Sequence, residues 1–309
     1  MARTALCFLL SVFPFIAAGN SLLASPVTTK ASGMLHPEIS ARVIALGDAF
    51  TGMTDDINAI AYNPAGLARL SSSEIAMMYS KQDNNPENYY YFGGLFFRLS
   101  DGFNVGLSGN MENTSVAGEN SVYTLSYACK VMETKDVGVT TMGFNYRSLS
   151  NELTPTDTIS SSLLDFGLLS TLFISGKPLG LGLCLQNLGG TVTHSDGSAE
   201  TDYIPLVGRV GIGFKFGADI VNKPISVMAD VISIEKELEP KYSLGFECWF
   251  TGGLVLRLGY KVNYAQESIT SAGLGFKVGG MRLDYGLASV GQNSGGVSTI
   301  PKISFVGRF

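Results

Sequence analysis

The sequence predicts an all-β membrane protein: an antiparallel transmembrane β-barrel of about 14 strands with a short helical segment at its N-terminus. Three observations support this fold class. Only 15% of the 309 residues are charged, against about 25% in ordinary soluble domains. Glycine occurs 37 times, a density that disfavours a helical bundle. Apolar and polar residues alternate in short runs over most of the chain, which is the period of β-strands.

Charge and hydropathy exclude two other classes of protein. The formal net charge is −5, and Lys and Arg form no cluster, so we expect no nucleic-acid partner. After the N-terminus, the longest stretch without Asp, Glu, Lys or Arg covers residues 178–195 and is interrupted by glycines. A helical span needs about 20 consecutive apolar residues, so this stretch is not a transmembrane helix.

Residues 1–24 are predicted to be a signal peptide. Arg3 gives a positive start, residues 5–18 are apolar, and small residues follow, as in cleaved secretory signals. Cleavage after Gly19 and cleavage after Ala24 fit equally well. The mature protein is therefore expected to be exported.

Residues 25–70 do not alternate and are predicted to form a hatch or plug. Apolar residues spaced by three and four predict a short amphipathic helix over 39–53. Asn63 before Pro64 combines a favourable N-cap with proline at the first helical position, so a second helix is expected to begin there. A compact segment before a wide barrel is a candidate for filling its lumen.

Residues 71–309 are predicted to form the barrel. Strands are expected near 73–80, 89–100, 102–113, 121–132, 136–149, 161–175, 178–190, 204–216, 223–233, 240–250, 253–263, 268–278, 280–290 and 298–309. The even number fits bacterial outer-membrane barrels. The aromatic run at 89–92 is interpreted as part of an interfacial belt.

The two faces of these strands indicate which side meets lipid. In residues 254–261, leucines share one face while Arg257 and Gly259 lie on the other. A soluble barrel would cover its second face with Lys, Glu and Thr, whereas here that face carries glycines and a few charges of both signs. We therefore expect the polar face of every strand to line a crowded lumen. The predicted lumen charges, which should pair with one another or with the plug, are Arg209, Asp230, Glu247, Arg257, Arg282 and Asp284.

The C-terminal strand supports the same location. Phe305 and Phe309 lie on one face of it, and the chain stops on an aromatic residue. This pattern resembles the assembly signal of bacterial outer-membrane proteins. It predicts insertion into the bacterial outer membrane by the assembly machinery, with membrane lipid around the barrel.

Several segments resemble a known family. Residues 45–50, 55–56 and 62–68 are similar to the N-terminal hatch motif of FadL-like outer-membrane proteins, especially the PorV/PorQ branch and related spirochaetal families. The resemblance continues through 164–169, 186–189, 254–260 and 283–286. The residues that carry the hatch motif are Gly47, Asp48, Asp55, Asp56, Asn63, Pro64, Ala65 and Gly66.

The resemblance implies a 14-stranded barrel with a lumenal hatch and leaves two functions open. FadL-related members take up long-chain fatty acids or other hydrophobic compounds, whereas PorV-like members are carriers in type IX secretion. The first implies a hydrophobic small-molecule ligand, and the second implies partners in a secretion or surface-attachment system. We expect no enzyme, cofactor or metal, because the two histidines, His36 and His194, have no ligand-spaced partners and give no nucleophile a base.

Overall fold

The structure is a computed structural model that describes residues 39–81, 88–100, 102–114, 118–134, 138–154, 157–197, 203–218, 223–237, 239–262, 268–291 and 297–309. The predicted signal peptide and residues 25–38 of the predicted hatch lie outside these ranges. The strands are β1 (Glu74–Lys81), β2 (Tyr89–Ser100), β3 (Phe103–Thr114), β4 (Gly118–Thr134), β5 (Gly138–Thr154), β6 (Asp157–Ile174), β7 (Lys177–Leu188), β8 (Thr193–His194), β9 (Val207–Ala218), β10 (Lys223–Ile234), β11 (Lys241–Trp249), β12 (Leu254–Val262), β13 (Ser268–Val278), β14 (Met281–Gly291) and β15 (Val297–Arg308).

All of these strands except β8 form one closed antiparallel barrel, which confirms the predicted fold and strand number. Each long strand pairs with the next along the chain, and β7 pairs with β9. Strand β15 returns to β1, with Arg308 opposite Glu74, and closes the barrel. The two-residue β8 was not predicted, and among the described residues it pairs with β6. Strands β4, β5 and β6 are longer than predicted, at 17, 17 and 18 residues.

The outer surface is apolar, as expected for lipid contact. Along β12, Leu254, Leu256, Leu258 and Tyr260 are exposed, while Arg257 between them is buried. The backbone groups of a closed barrel bond to neighbouring strands and leave no open edge, which is what hydrocarbon requires.

The two ends of the barrel differ in the length of their connections. At the end that carries Glu74 and Arg308, two to four residues join successive strands, whereas the opposite end includes the 18-residue connection 189–206. Outer-membrane barrels have short periplasmic turns and longer extracellular loops. We therefore expect the first end to face the periplasm and name it the periplasmic end, and we name the second the extracellular end.

The N-terminal segment contains helix α1 (Ala41–Ile44), helix α2 (Ala59–Tyr62) and a 3-10 helix (Pro64–Arg69). The helix expected over 39–53 is wrong beyond Ile44, because Gly47 and Asp48 have positive φ angles of 62° and 66° and turn the chain. The helix expected at Pro64 begins there, and α2 was not predicted. A further 3-10 turn, Thr251–Gly253, joins β11 to β12. None of the helices in the described ranges is long and apolar enough to cross a membrane.

Residues 39–73, which we name the lumenal segment, lie inside the barrel against a set of inward-facing glycines. A Cβ added to Gly259 would lie 2.1 Å from the backbone nitrogen of Gly47, and one added to Gly180 would lie 1.9 Å from the carbonyl oxygen of Gly52. Only glycine permits this approach of backbone to backbone. These lumenal glycines come from ten of the strands: Gly94, Gly106, Gly143, Gly167, Gly180, Gly182, Gly211, Gly213, Gly245, Gly259, Gly273 and Gly286.

Candidate functional site

The centre of the lumen is organised by Arg42, which projects from α1 and is 2% exposed. Its Nε and Nη2 donate to the two carboxylate oxygens of Glu247 on β11, each at 2.9 Å. Its Nη1 donates to Asp56 at 2.7 Å and to Asp55 at 2.6 Å. One guanidinium therefore joins two parts of the lumenal segment to the barrel wall.

The contacts of Arg42 belong to a closed ring of six charged side chains. Glu247 accepts from Arg257 at 2.7 Å, and Arg257 donates to Asp284 at 2.8 Å. Arg282 donates at 2.6 Å to Asp284 and at 2.6 Å to Asp56. Asp56 also accepts from Arg42, and this contact closes the ring. We name this set the ion ring; its members are Arg42, Asp56, Glu247, Arg257, Arg282 and Asp284. The three cations and three anions leave it with no net charge.

The ion ring stabilises charge that would be costly alone, since an uncompensated buried ion costs several kcal/mol. Burial by itself would lower the pKa of Arg42, but Asp55, Glu247 and Asp56 hold that pKa well above its usual value. Burial would likewise raise the pKa of Asp56, but Arg42 and Arg282 hold it well below its usual range. The charged forms are therefore the stable ones in this arrangement.

The remaining two predicted lumen charges bind the lumenal segment outside the ring. The Asp230 carboxylate on β10 accepts from the backbone N–H groups of Phe50 at 3.0 Å and Thr51 at 2.8 Å. The Arg209 guanidinium on β9 lies 5.4 Å from the ring centre of Tyr62, and its Nε donates to Gln186 at 3.0 Å. All six predicted charges thus face the lumen.

Asn63 joins three parts of the molecule. Its Oδ1 accepts from the N–H of Ala65 at 3.2 Å and caps the 3-10 helix. Its Nδ2 donates to the carbonyl oxygens of Thr51, at 3.1 Å, and of Leu168 on β6, at 3.2 Å. Pro64, next along the chain, packs against the lumenal glycine Gly143.

The other residues of the hatch motif also have structural contacts. Asp48 forms an ion pair with Lys261 of β12. Asp55 bonds to Arg42 and lies 3.8 Å from Lys215 of β9. The carbonyl of Ala65 accepts from Thr141 of β5 at 2.8 Å. Gly66 packs so closely on Thr54 that a Cβ would come within 2.1 Å of its Oγ1.

Several barrel residues that the sequence analysis missed bond to the backbone of the lumenal segment. Glu74 of β1 accepts from the N–H of Ile57 at 2.8 Å and from Arg308 of β15 at 2.7 Å. Asn145 of β5 donates to the carbonyl of Ile60 at 2.7 Å, and Gln186 of β7 donates to that of Ala61 at 2.8 Å. The sequence indicates that these residues face inward, because they lie on one face of an alternating strand. Many other lumenal residues have the same position, so the pattern does not single these three out.

One part of the lumen is apolar, so the expectation of a polar inner face on every strand is wrong there. We name it the apolar wall: Ala76 and Met78 of β1, and Tyr90, Phe92 and Phe96 of β2. These side chains form one buried cluster with apolar residues of the lumenal segment, including Ile57 and Ile60. The aromatic run 89–92 is thus only partly on the lipid side, because Tyr90 and Phe92 point inward.

At the extracellular end, the structure describes residues 189–197 and 203–206 of the connection between β7 and β9. Its Val192 and Ile204 are buried in a cluster with inward-facing residues of β4, β5 and β6. The same connection carries His194, whose Nδ1 lies 3.1 Å from a carboxylate oxygen of Asp157. Asp196 is close enough that the three groups offer ligand atoms within 4.8 Å of one another. The sequence analysis missed this proximity because β8 was not predicted.

The two phenylalanines of the predicted assembly signal lie at the barrel closure. Phe305 pairs with Met77 of β1. Phe309 is exposed, its N–H donates to the carbonyl of Ser73 at 3.0 Å, and its ring centre lies 6.5 Å from that of Phe97. Recognition of these residues by the assembly machinery stays a prediction.

No protein-family model matches the sequence, and no curated protein matches it. Solved structures match the fold. The toluene transporter TbuX of Ralstonia pickettii has a TM-score of 0.57 and 13% identity, with 87% of this chain and 98% of TbuX covered. The P. putida toluene transporter TodX has a TM-score of 0.53 and 13% identity, with 86% of this chain and 97% of TodX covered. A Pseudomonas aeruginosa FadL homologue has a TM-score of 0.51 and 11% identity, with 84% of this chain and 96% of the homologue covered. The fold is therefore that of FadL-type outer-membrane barrels, while similarity to the PorV/PorQ branch stays a prediction.

Proposed function

We propose that this protein takes up hydrophobic small molecules, such as long-chain fatty acids, across the outer membrane, and that the lumenal segment is a movable hatch. The observation that carries the proposal is the apolar wall. Water-filled porins have polar interiors, whereas β2 turns Tyr90, Phe92 and Phe96 toward the lumen. If the lumenal segment moves away from this wall, the surface uncovered on both sides is apolar, which favours apolar passengers. The toluene transporters with the same fold are consistent with this class of ligand.

Uptake can be tested in a bacterial strain that lacks its own fatty-acid channel. Expression of the full chain should increase uptake of radiolabelled oleate or toluene above that of cells with an empty vector. Phe92→Asn should reduce uptake several-fold because it places an amide on the apolar wall, while the matched control Phe92→Leu should retain it. An inserted wild-type barrel that takes up neither compound would contradict the proposal.

A second candidate function is that of a PorV-like carrier or docking component of a secretion or surface-attachment system. It is favoured by the number of contacts that fix the lumenal segment, since a barrel that stays closed can still present its ends to other proteins. Cross-linking in native membranes, followed by identification of the partners, tests this function. Recovery of secretion components by an uptake-inactive barrel would favour it.

A further inference from the structure

A cavity of about 250 Å³ lies between the lumenal segment and the barrel wall. Six cationic side chains line it: Arg42, Arg69, Lys215, Lys277, Arg282 and Arg308. Among the described residues, Asp55 is the one carboxylate in the lining. This concentration of positive charge is unusual in a chain whose formal net charge is −5.

The cavity lies at the periplasmic end. Trp249 is the last residue of β11, Lys277 is the last but one of β13, and Arg308 is the last of β15. All three strands end on the periplasmic side. From the lumenal segment, Asp55 and Arg69 complete the lining, so the cavity is shared between the proposed hatch and the barrel rim.

Most of the lining cations have carboxylate partners. Arg42 and Arg282 belong to the neutral ion ring. Arg308 is 2.7 Å from Glu74, and Lys215 is 3.8 Å from Asp55. Arg69 and Lys277 form no ion pair with any residue in the described ranges. Lys277 instead lies 5.8 Å from the ring centre of Trp249. After all pairs are matched, two positive charges face the cavity.

We propose that this cavity binds one oxyanion group, a phosphate or a carboxylate, with Arg69 and Lys277 as its counter-charges. The volume corresponds to about eight waters at about 30 Å³ each, which is room for one such group with some water but not for a whole lipid. The guanidinium of Arg69 can bind two oxygens with its planar fork, and the ammonium of Lys277 supplies a point charge.

The oxyanion can come from two sources: a soluble molecule in the periplasm, or the head group of a lipid whose tails stay outside the cavity. Either source uses the same two cations. The site does not depend on transport, because it is defined by charge at the rim and not by the apolar wall. Binding to the purified protein therefore tests it separately from uptake.

The test is calorimetric titration of inorganic phosphate, and separately of octanoate, into the full-length protein in micelles of dodecyl maltoside, an uncharged detergent without an oxyanion group. Saturable binding of at least one of them is expected. Arg69→Gln and Lys277→Gln should each weaken it about tenfold, which corresponds to about 1.4 kcal/mol. The matched control is Lys130→Gln. Lys130 lies near the periplasmic end of β4 and does not line the cavity.

The same titration in nanodiscs containing phosphatidylglycerol identifies the source. Weaker phosphate binding there supports occupation by a lipid head group, whereas equal binding supports a soluble oxyanion. If a variant fails to insert, the unfolding temperature of the wild-type protein is measured with and without phosphate instead. A bound ligand raises that temperature. The absence of any saturable binding or stabilisation by phosphate and octanoate would overturn the proposal. Equal affinity in wild type, Arg69→Gln and Lys277→Gln would also overturn it.

Discussion

Two sides of the same lumen hold the lumenal segment by different physical means. On β11, β12 and β14 the ion ring fixes Arg42 and Asp56 through short, directional hydrogen bonds. On β1 and β2 the apolar wall contacts Ile57 and Ile60 by apolar burial, and the one directional bond cited on this side runs from the Ile57 N–H to Glu74, at the start of β1. Burial is non-directional, so the apolar side tolerates small displacements that would break the ring. We therefore expect the ionic side to determine the position of the segment, and the apolar side to be where the proposed hatch separates from the wall.

The largest effect is expected from Arg42→Met. It leaves Asp56 and Glu247 buried without their shared partner, and breaking a buried ion pair typically costs about 3–5 kcal/mol. The thermal unfolding temperature in detergent should fall, and planar-bilayer conductance should rise as the segment is released. Lys177→Met, an exposed lysine of β7, is the control and should change neither. Wild-type stability and conductance in Arg42→Met would show that the ring does not hold the segment.

A smaller but distinct effect is expected from Gly259→Ala. The new methyl would lie 2.1 Å from the Gly47 nitrogen, so the segment must shift, and overpacking of this kind costs about 1–3 kcal/mol. Gly93→Ala is the matched control, because its Cβ would meet nothing within 4 Å. Thermal unfolding of both variants measures the difference, and equal unfolding temperatures would argue against close backbone packing.

Asn63→Ala should loosen the segment without unfolding the barrel. Loss of the cap on Ala65 costs about 1 kcal/mol, and the bonds to Thr51 and Leu168 are lost as well. More frequent openings in planar bilayers and greater sensitivity of cells to large antibiotics are expected. If the folded variant behaves as wild type in both measurements, Asn63 does not anchor the segment.

The smallest effect is expected on the apolar wall. Ile57→Val removes one methylene from the buried cluster, and such changes cost about 0.5–1.5 kcal/mol. Because the ion ring still fixes the segment, bilayer openings should be rarer than in Arg42→Met, which breaks the ring. The opposite order would show that apolar packing, and not the ring, keeps the lumen closed.

The barrel could be predicted from sequence because its signal is local. Alternation along residues 254–261 gives the strand and the inward position of Arg257 without knowledge of any partner. The helix expected over 39–53 fails for the opposite reason. Asp48 takes a positive φ and pairs with Lys261, more than 200 residues away, and helical spacing carries no information about that contact.

The site was predicted only in part. Four members of the ion ring lie on alternating strands and were identified as lumen charges, and Asp56 was identified through the family motif. Arg42 was missed because it lies in a four-residue helix, where nothing local distinguishes an inward charge from an exposed one. The apolar wall was missed because residues 89–92 are all aromatic, so alternation could not separate the lipid face from the lumenal face.

Glu74 links the closure of the barrel to the docking of the lumenal segment. It lies on β1 at the junction with β15, where one of its oxygens accepts from Arg308 of β15 and the other accepts from the backbone of Ile57. The last pairing step of the barrel and the docking of the lumenal segment therefore share one carboxylate. A barrel that closed without the segment would keep the bond from Arg308 to Glu74 and would leave the other oxygen of that carboxylate without the N–H of Ile57.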